Sequence, residues 1–323
     1  MSHFIKSYKK FLLDNFFYIP VWFLRIIFPT KRLKIRGAKI DLQSYSFIKL
    51  NPKSTLYKIH EKDLPKIRKV IESNKINSYL SASPRNPVET IDHSIYSDTR
   101  RDEMLLREYI PKKVESDKII LFFHGGGWTI DSVETYDDMV KYFSDYLNLK
   151  IYSLEYSLAP EKKFPFAIGE AEDAYNWLIN NVSSSNKISL CGDSAGGHMA
   201  ASLSYKLSKQ DLALPNSMLL IYPPCDPSFT QESIQLYKDE YFLLHSDLAW
   251  FWNKLKENEK NKYDPMLNLL KFDLKSKLPP AILITAGFDP ICDEGGEYAN
   301  LLSKNGNNIK ILNYPTLFHN FAF

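Results

Sequence analysis

The 323-residue chain is poor in several features that would mark other functional classes. It has three cysteines, Cys191, Cys225 and Cys292. Their number is odd and none form a C-x-x-C pair, which argues against a disulfide framework or a zinc site. They are expected to be packing or loop residues. The net charge is only +3, too little for a basic nucleic-acid binder. There is no internal repeat and no long low-complexity tract. No apolar run is long enough to span a bilayer. In the most apolar stretch, Phe11 to Thr30, the longest unbroken run is nine residues, Phe16 to Leu24, where about 20 are needed.

The small net charge hides an asymmetry. Residues 1–36 carry eight Lys/Arg and a single acid, Asp14, while the remainder is net −4. Asp14 and Arg25 interrupt the apolar stretch, and Pro20 would break a helix near its middle. Three readings fit this segment. It is a lid whose apolar face covers a cleft, an aromatic-rich segment lying in a membrane interface, or an anchor or leader. No small-x-small cleavage pattern supports the last. The expected location is the cytoplasm, with residues 1–36 the candidate for peripheral membrane contact.

What is present is a regular core. Hydrophobic residues make up 44% of the chain, enough for one large α/β domain. Residues 37–95 are mixed, with a helix expected over 63–76 and a loop over 81–87. From about residue 106, strands and helices alternate. The strands are 119–123, 150–156, 188–191, 218–222, 281–285 and 309–314. The helices are 136–147, 167–179, 195–207, 246–255 (capped by Ser246) and 294–302. Such alternation builds a mostly parallel sheet flanked by helices. The expected division is an N-terminal helical lid over 1–100 and a catalytic domain over 101–323. In such sheets, sites lie beyond the carboxyl ends of the strands.

Two short strings sit at strand ends: His124-Gly125-Gly126-Gly127-Trp128 and Gly192-Asp193-Ser194-Ala195-Gly196-Gly197. The second is a G-x-S-x-G turn. Its glycines allow a sharp strand-to-helix reversal that exposes Ser194. A serine hydroxyl needs a base. Of seven histidines, His319 is the candidate, because it follows the last strand. His124 is expected to hold the glycine loop, and His198 and His245 to be structural. Asp289 follows the strand 281–285 and is the candidate acid, with Asp293 the fallback. Asp293 and Glu294 fit the first turn of the next helix better. The N–H groups of Gly126, Gly127 and Ala195 are the candidate oxyanion donors.

These residues resemble the hormone-sensitive-lipase-like esterases of the α/β-hydrolase fold. The resemblance spans about Lys118 to Phe323. It includes both strings, Tyr156-Ser157-Leu158-Ala159-Pro160-Glu161, Gly287-Phe288-Asp289-Pro290 with Asp293-Glu294-Gly295, and Tyr314-Pro315 before His319. It implies a Ser194–Asp289–His319 triad in the usual order Ser, Asp, His. It further implies hydrolysis of small-molecule carboxylic esters with short or medium acyl chains, through an acyl-enzyme and without cofactor or metal. A small-molecule deacetylase or amidase on the same triad is the alternative, and a non-catalytic ligand-binding relative a third reading. Two departures stand out. Tyr156-Ser157 replaces the usual Tyr-Arg, with loss of a buried guanidinium expected. The usual helix after the histidine is missing, so Phe321 and Phe323 are expected to pack in its place.

Overall fold

The computed structural model describes residues 19–28, 34–50, 53–76, 83–237, 241–273 and 275–322. Residues 1–18 and 29–33 of the apolar, basic segment, residues 81–82 of the expected loop, and Phe323 lie outside the described residues.

The N-terminal part holds α1 (Val21–Ile27), a small antiparallel pair β1 (Lys34–Ile35) and β2 (Ala38–Lys39), α2 (Leu42–Leu50) and α3 (Leu64–Ile76). A hairpin follows, β3 (Val88–Ser97) and β4 (Asp102–Pro111). Then come β5 (Ile119–Phe123), α4 (Asp137–Leu147), β6 (Lys150–Leu154), α5 (Phe166–Asn181), β7 (Ile188–Asp193) and α6 (Ala195–Lys209). The chain continues through β8 (Ser217–Ile221), α7 (Glu232–Tyr237), α8 (His245–Leu255), β9 (Ala281–Phe288), α9 (Cys292–Lys304) and β10 (Ile309–Phe318).

Strands β3 to β10 form one eight-stranded sheet, ordered β10-β9-β8-β7-β5-β6-β4-β3. From β6 to β10 every pairing is parallel, and β4 joins β6 antiparallel. The hairpin corrects the expected boundary at 100/101. That boundary falls in the turn between two strands of the main sheet, so residues 88–100 are not part of a helical lid.

The central strands are mostly apolar, and β5 entirely so, because both faces are covered. In β5, Leu121 and Phe123 pack into the larger core with α5 and α6, while Phe122 points to the opposite core with Val140 of α4. In β7 the same alternation sends Leu190 one way and Cys191 the other. In α5, Ala171, Ala174, Tyr175 and Leu178 form the buried face, at helical spacing. Helix α8 begins one residue early, with Leu244 in the cap position. Ser246 is therefore inside the first turn and is not the cap. Among the described residues, no helix is long and apolar enough to cross a membrane.

The topology sets the site. From β5 the chain crosses to β6 on one side and then returns to β7 on the other. The carboxyl ends of β5 and β7 thus flank the crevice where strand order reverses, which is where parallel sheets bind ligands.

Candidate active site

Ser194 sits between β7 and α6 with φ 49° and ψ −121°. A non-glycine residue there stores on the order of 1–3 kcal/mol of strain, so its surroundings must hold it. The Ser194 N–H donates to the Ile221 carbonyl at 2.8 Å. A Cβ on Gly196 would strike the Phe123 carbonyl, and one on Gly192 would strike the Gly196 backbone. Both glycines are required by close approach of β5, β7 and α6. Ala195 opens α6, and the first turn of a helix leaves N–H groups without intrahelical acceptors.

His319 follows β10, and Asp289 follows β9. His319 Nε2 lies 3.0 Å from Ser194 Oγ. His319 Nδ1 lies 2.7 Å from Asp289 Oδ2. The other Asp289 oxygen accepts the Ile291 N–H at 3.0 Å. Asp289 is fully buried and His319 nearly so. Asp293, the fallback acid, points elsewhere. It lies in the first turn of α9 and pairs with Arg36. Tyr222 packs against the His319 ring at 4.7 Å, and Phe321 packs on Tyr222 at 5.5 Å and on Tyr314 at 5.3 Å.

In the glycine loop, Gly126 and Gly127 have φ of 94° and 57°. A Cβ on Gly126 would lie 2.8 Å from Asp131 Oδ2, and one on Gly127 would overlap the Phe251 ring. His124 is buried, stacks on Tyr156 at 4.2 Å, and reaches the Gly125 carbonyl with Nδ1 at 2.8 Å. Tyr156 Oη donates to the His124 carbonyl at 2.8 Å. His198 is buried one turn into α6, against Trp128 and Trp252. Its Nε2–H donates to the Leu267 carbonyl at 3.0 Å, and burial pushes its pKa down to about 4.

Gly126, Gly127, Ser194 and His319 line one cavity of about 450 Å³, within the usual range for small-molecule sites. Its walls are mostly apolar, with Leu243, Leu248 and Phe251 from the α8 region and Ile48 and Leu56 from the N-terminal part. Among the described residues, no group of three or more His, Cys, Asp or Glu side chains could hold a metal ion.

Several supporting residues carry no sequence signature. The N-terminal part is fastened to the main domain at three places around the cavity. Arg36 holds Asp293 with two hydrogen bonds of 2.5 and 2.9 Å and also reaches Glu232 at 2.6 Å. The Asp41 N–H donates to the Thr316 carbonyl, three residues before His319, at 3.0 Å. Arg68 of α3 donates to the Thr129 and Ala159 carbonyls, each at 2.7 Å. Behind the serine turn, Asp193 is buried and accepts from Tyr136 Oη at 3.0 Å. Burial and the Asp193 carboxylate hold the Tyr136 and Tyr222 hydroxyls well above the ordinary tyrosine range. Only Asp193 had a signal, its place beside Ser194 in the motif.

One departure is corrected. A guanidinium is not missing near Ser157, because Arg100, in the β3–β4 turn, supplies it. Arg100 Nε meets Glu170 Oε1 at 2.7 Å. Ser157 donates to the same buried carboxylate through its N–H at 2.6 Å and its hydroxyl at 2.7 Å.

Known proteins share this fold. The alpha/beta hydrolase fold family profile matches residues 120–323. The chain is 30% identical over 207 residues to the ethyl acetate hydrolase of Pseudomonas putida, covering 62% of this chain and 65% of that protein. It is 30% identical over 274 residues to the arylesterase of Saccharolobus solfataricus, covering 83% of this chain and 87% of that protein. Among solved structures, the Pyrobaculum calidifontis esterase superposes with a TM-score of 0.74 at 31% identity, over 84% of this chain and 91% of that one. The family match and these likenesses place the chain in the hormone-sensitive-lipase-like esterase family of the α/β-hydrolase fold.

Proposed function

We propose that this chain hydrolyses small carboxylic esters through an acyl-enzyme on Ser194. The observation that carries the reading is the hydrogen-bonded line Ser194–His319–Asp289 opening onto the same cavity as Gly126 and Gly127. The relatives named as ester hydrolases support the same chemistry.

In this mechanism, His319 Nε2 takes the Ser194 proton as Oγ attacks the ester carbonyl. Asp289 fixes the Nδ1–H tautomer and stabilises the imidazolium. The oxygen of the tetrahedral intermediate is held by the Gly126, Gly127 and Ala195 N–H groups. The imidazolium protonates the leaving alcohol. Water, deprotonated by the same histidine, then releases the acid and frees Ser194. The apolar walls suit short to medium acyl chains, and the wall formed by Ile48, Lys49, Lys53, Ser54 and Leu56 is the natural lid.

The test is a panel of p-nitrophenyl esters of increasing chain length beside matched anilides, run with the wild type and Ser194→Ala. The expected result is ester hydrolysis that peaks at short or medium chains and is lost in Ser194→Ala. Preferential anilide cleavage would favour an amidase, and unchanged hydrolysis by Ser194→Ala would refute the mechanism.

A further inference from the structure

Helix α1 is apolar on the side that faces away from the protein. Trp22 is 64% exposed, Ile26 66% and Val21 43%. Trp22 and Ile26 are one turn apart and share a face. Leu24, about 200° around the helix from Trp22, is buried against Leu42 of α2. The helix is pinned by its inner side and presents its outer one. Single exposed apolar residues need no explanation, but a contiguous set marks an interaction surface.

The sequence that carries this helix is strongly basic. Residues 1–58 contain twelve Lys/Arg and only two acids, Asp14 and Asp41. Arg36 is engaged with Asp293 and Glu232. Arg25 on α1 itself, and Lys39, Lys49 and Lys53 on the segments that follow, are exposed. A tryptophan beside aliphatic side chains in a basic setting matches the headgroup region of an anionic bilayer, where indole sits at the interface and Lys/Arg meet phosphate.

We propose that the outer face of α1 docks on an anionic lipid surface, with Trp22 and Ile26 inserted and the surrounding cations on the headgroups. The placement has a consequence for the cavity. Helix α2, on which α1 rests, contributes Ile48 and Lys49 to the cavity that holds Ser194 and His319. A bilayer under α1 lies one helix from the cavity wall, which brings apolar esters dissolved in lipid near the site. This last step rests on the ester-hydrolase reading; the docking itself does not.

The test is flotation of the full chain with vesicles of equimolar phosphatidylglycerol and phosphatidylcholine, and with phosphatidylcholine alone. The wild type is expected to float with the anionic vesicles and to bind neutral ones at least about tenfold more weakly. The double variant Trp22→Glu/Ile26→Glu is expected to lose about 100-fold or more in affinity. Arg25→Glu, which leaves the apolar face intact, should lose about tenfold. Unchanged thermal melting checks that each variant is folded without relying on activity. A wild type that stays out of the anionic vesicle fraction overturns the proposal, as does a double variant that floats like the wild type. A dimer broken by the double variant, with no flotation, would assign the face to a second copy instead. Flotation without ester hydrolysis would sink the hydrolase reading and leave the docking surface standing.

Discussion

Gly127→Ala is the most demanding perturbation of the site. At φ 57° an alanine costs about 1–2 kcal/mol. Its Cβ would also fall on the Phe251 ring, overlapping Cδ1 and Cγ and only 2.6 Å from Cε1, well over about 1 Å short of ordinary carbon contact. Phe251 is 7% exposed and packed edge-on against Trp250 at 5.2 Å, and its open side is the cavity it lines. Either the glycine loop shifts, which displaces its N–H donors, or the ring turns into the cavity and crowds the ester. Loss of one oxyanion donor lowers kcat by about 10²–10³. The assay is kcat and KM on p-nitrophenyl acetate for Gly127→Ala, Phe251→Ala and the double variant. The single glycine variant should lose kcat, with little change in KM where the loop shifts and a higher KM where the ring turns. The double variant should recover part of it, because the ring is gone while the φ cost remains. If Gly127→Ala keeps kcat within about threefold of wild type, these N–H groups do not hold the oxyanion.

Three further outcomes follow from the packing. Arg100→Ala leaves the Glu170 carboxylate buried without its cation and should cost about 3 kcal/mol in urea unfolding; Arg100→Ala/Ser157→Arg should regain much of this. Arg36→Ala unties the loop after Asp289, and the expectation is a several-fold lower kcat at nearly constant KM and about 1 kcal/mol of stability lost; a KM effect alone would argue against the strap. His198 sets an acid-side loss of stability. Its folded pKa is lowered to about 4 by burial, whereas an unfolded histidine titrates near 6.5. Only the unfolded state gains the proton between these values, so stability falls as pH drops from about 6.5 to about 4, by about 3 kcal/mol in all. Urea midpoints of His198→Asn across this range should fall less steeply than wild type, and parallel curves would refute the assignment.

The centre of the parallel half was legible because a strand such as β5, IILFF, is buried on both faces and reads as an unbroken apolar run. Glycine punctuation then marked the two loops that meet at Ser194. The hairpin β3–β4 was not legible. Its outer strand is mostly exposed and carries Glu89 and Asp92, with Asp92 paired to Arg107 across the hairpin. No apolar alternation survives in such an edge. Strand β9 runs three residues past its expected end, through Gly287, which is a contact point. A Cβ there would lie 2.6 Å from Pro315 Cα, a common reason for glycine inside a strand. Arg36, Arg68 and Arg100 were invisible for a different reason. Each acts alone across a long sequence separation, and no spacing rule points from it to its carboxylate or carbonyl.

The central claim is that Ser194 is a nucleophile made reactive by His319. Reaction with a fluorophosphonate, followed by intact mass and peptide mapping, tests this directly. The account predicts one adduct per chain, on Ser194, formed rapidly by the wild type and orders of magnitude more slowly by His319→Ala. An adduct on another residue, or equal labelling in His319→Ala, would contradict it.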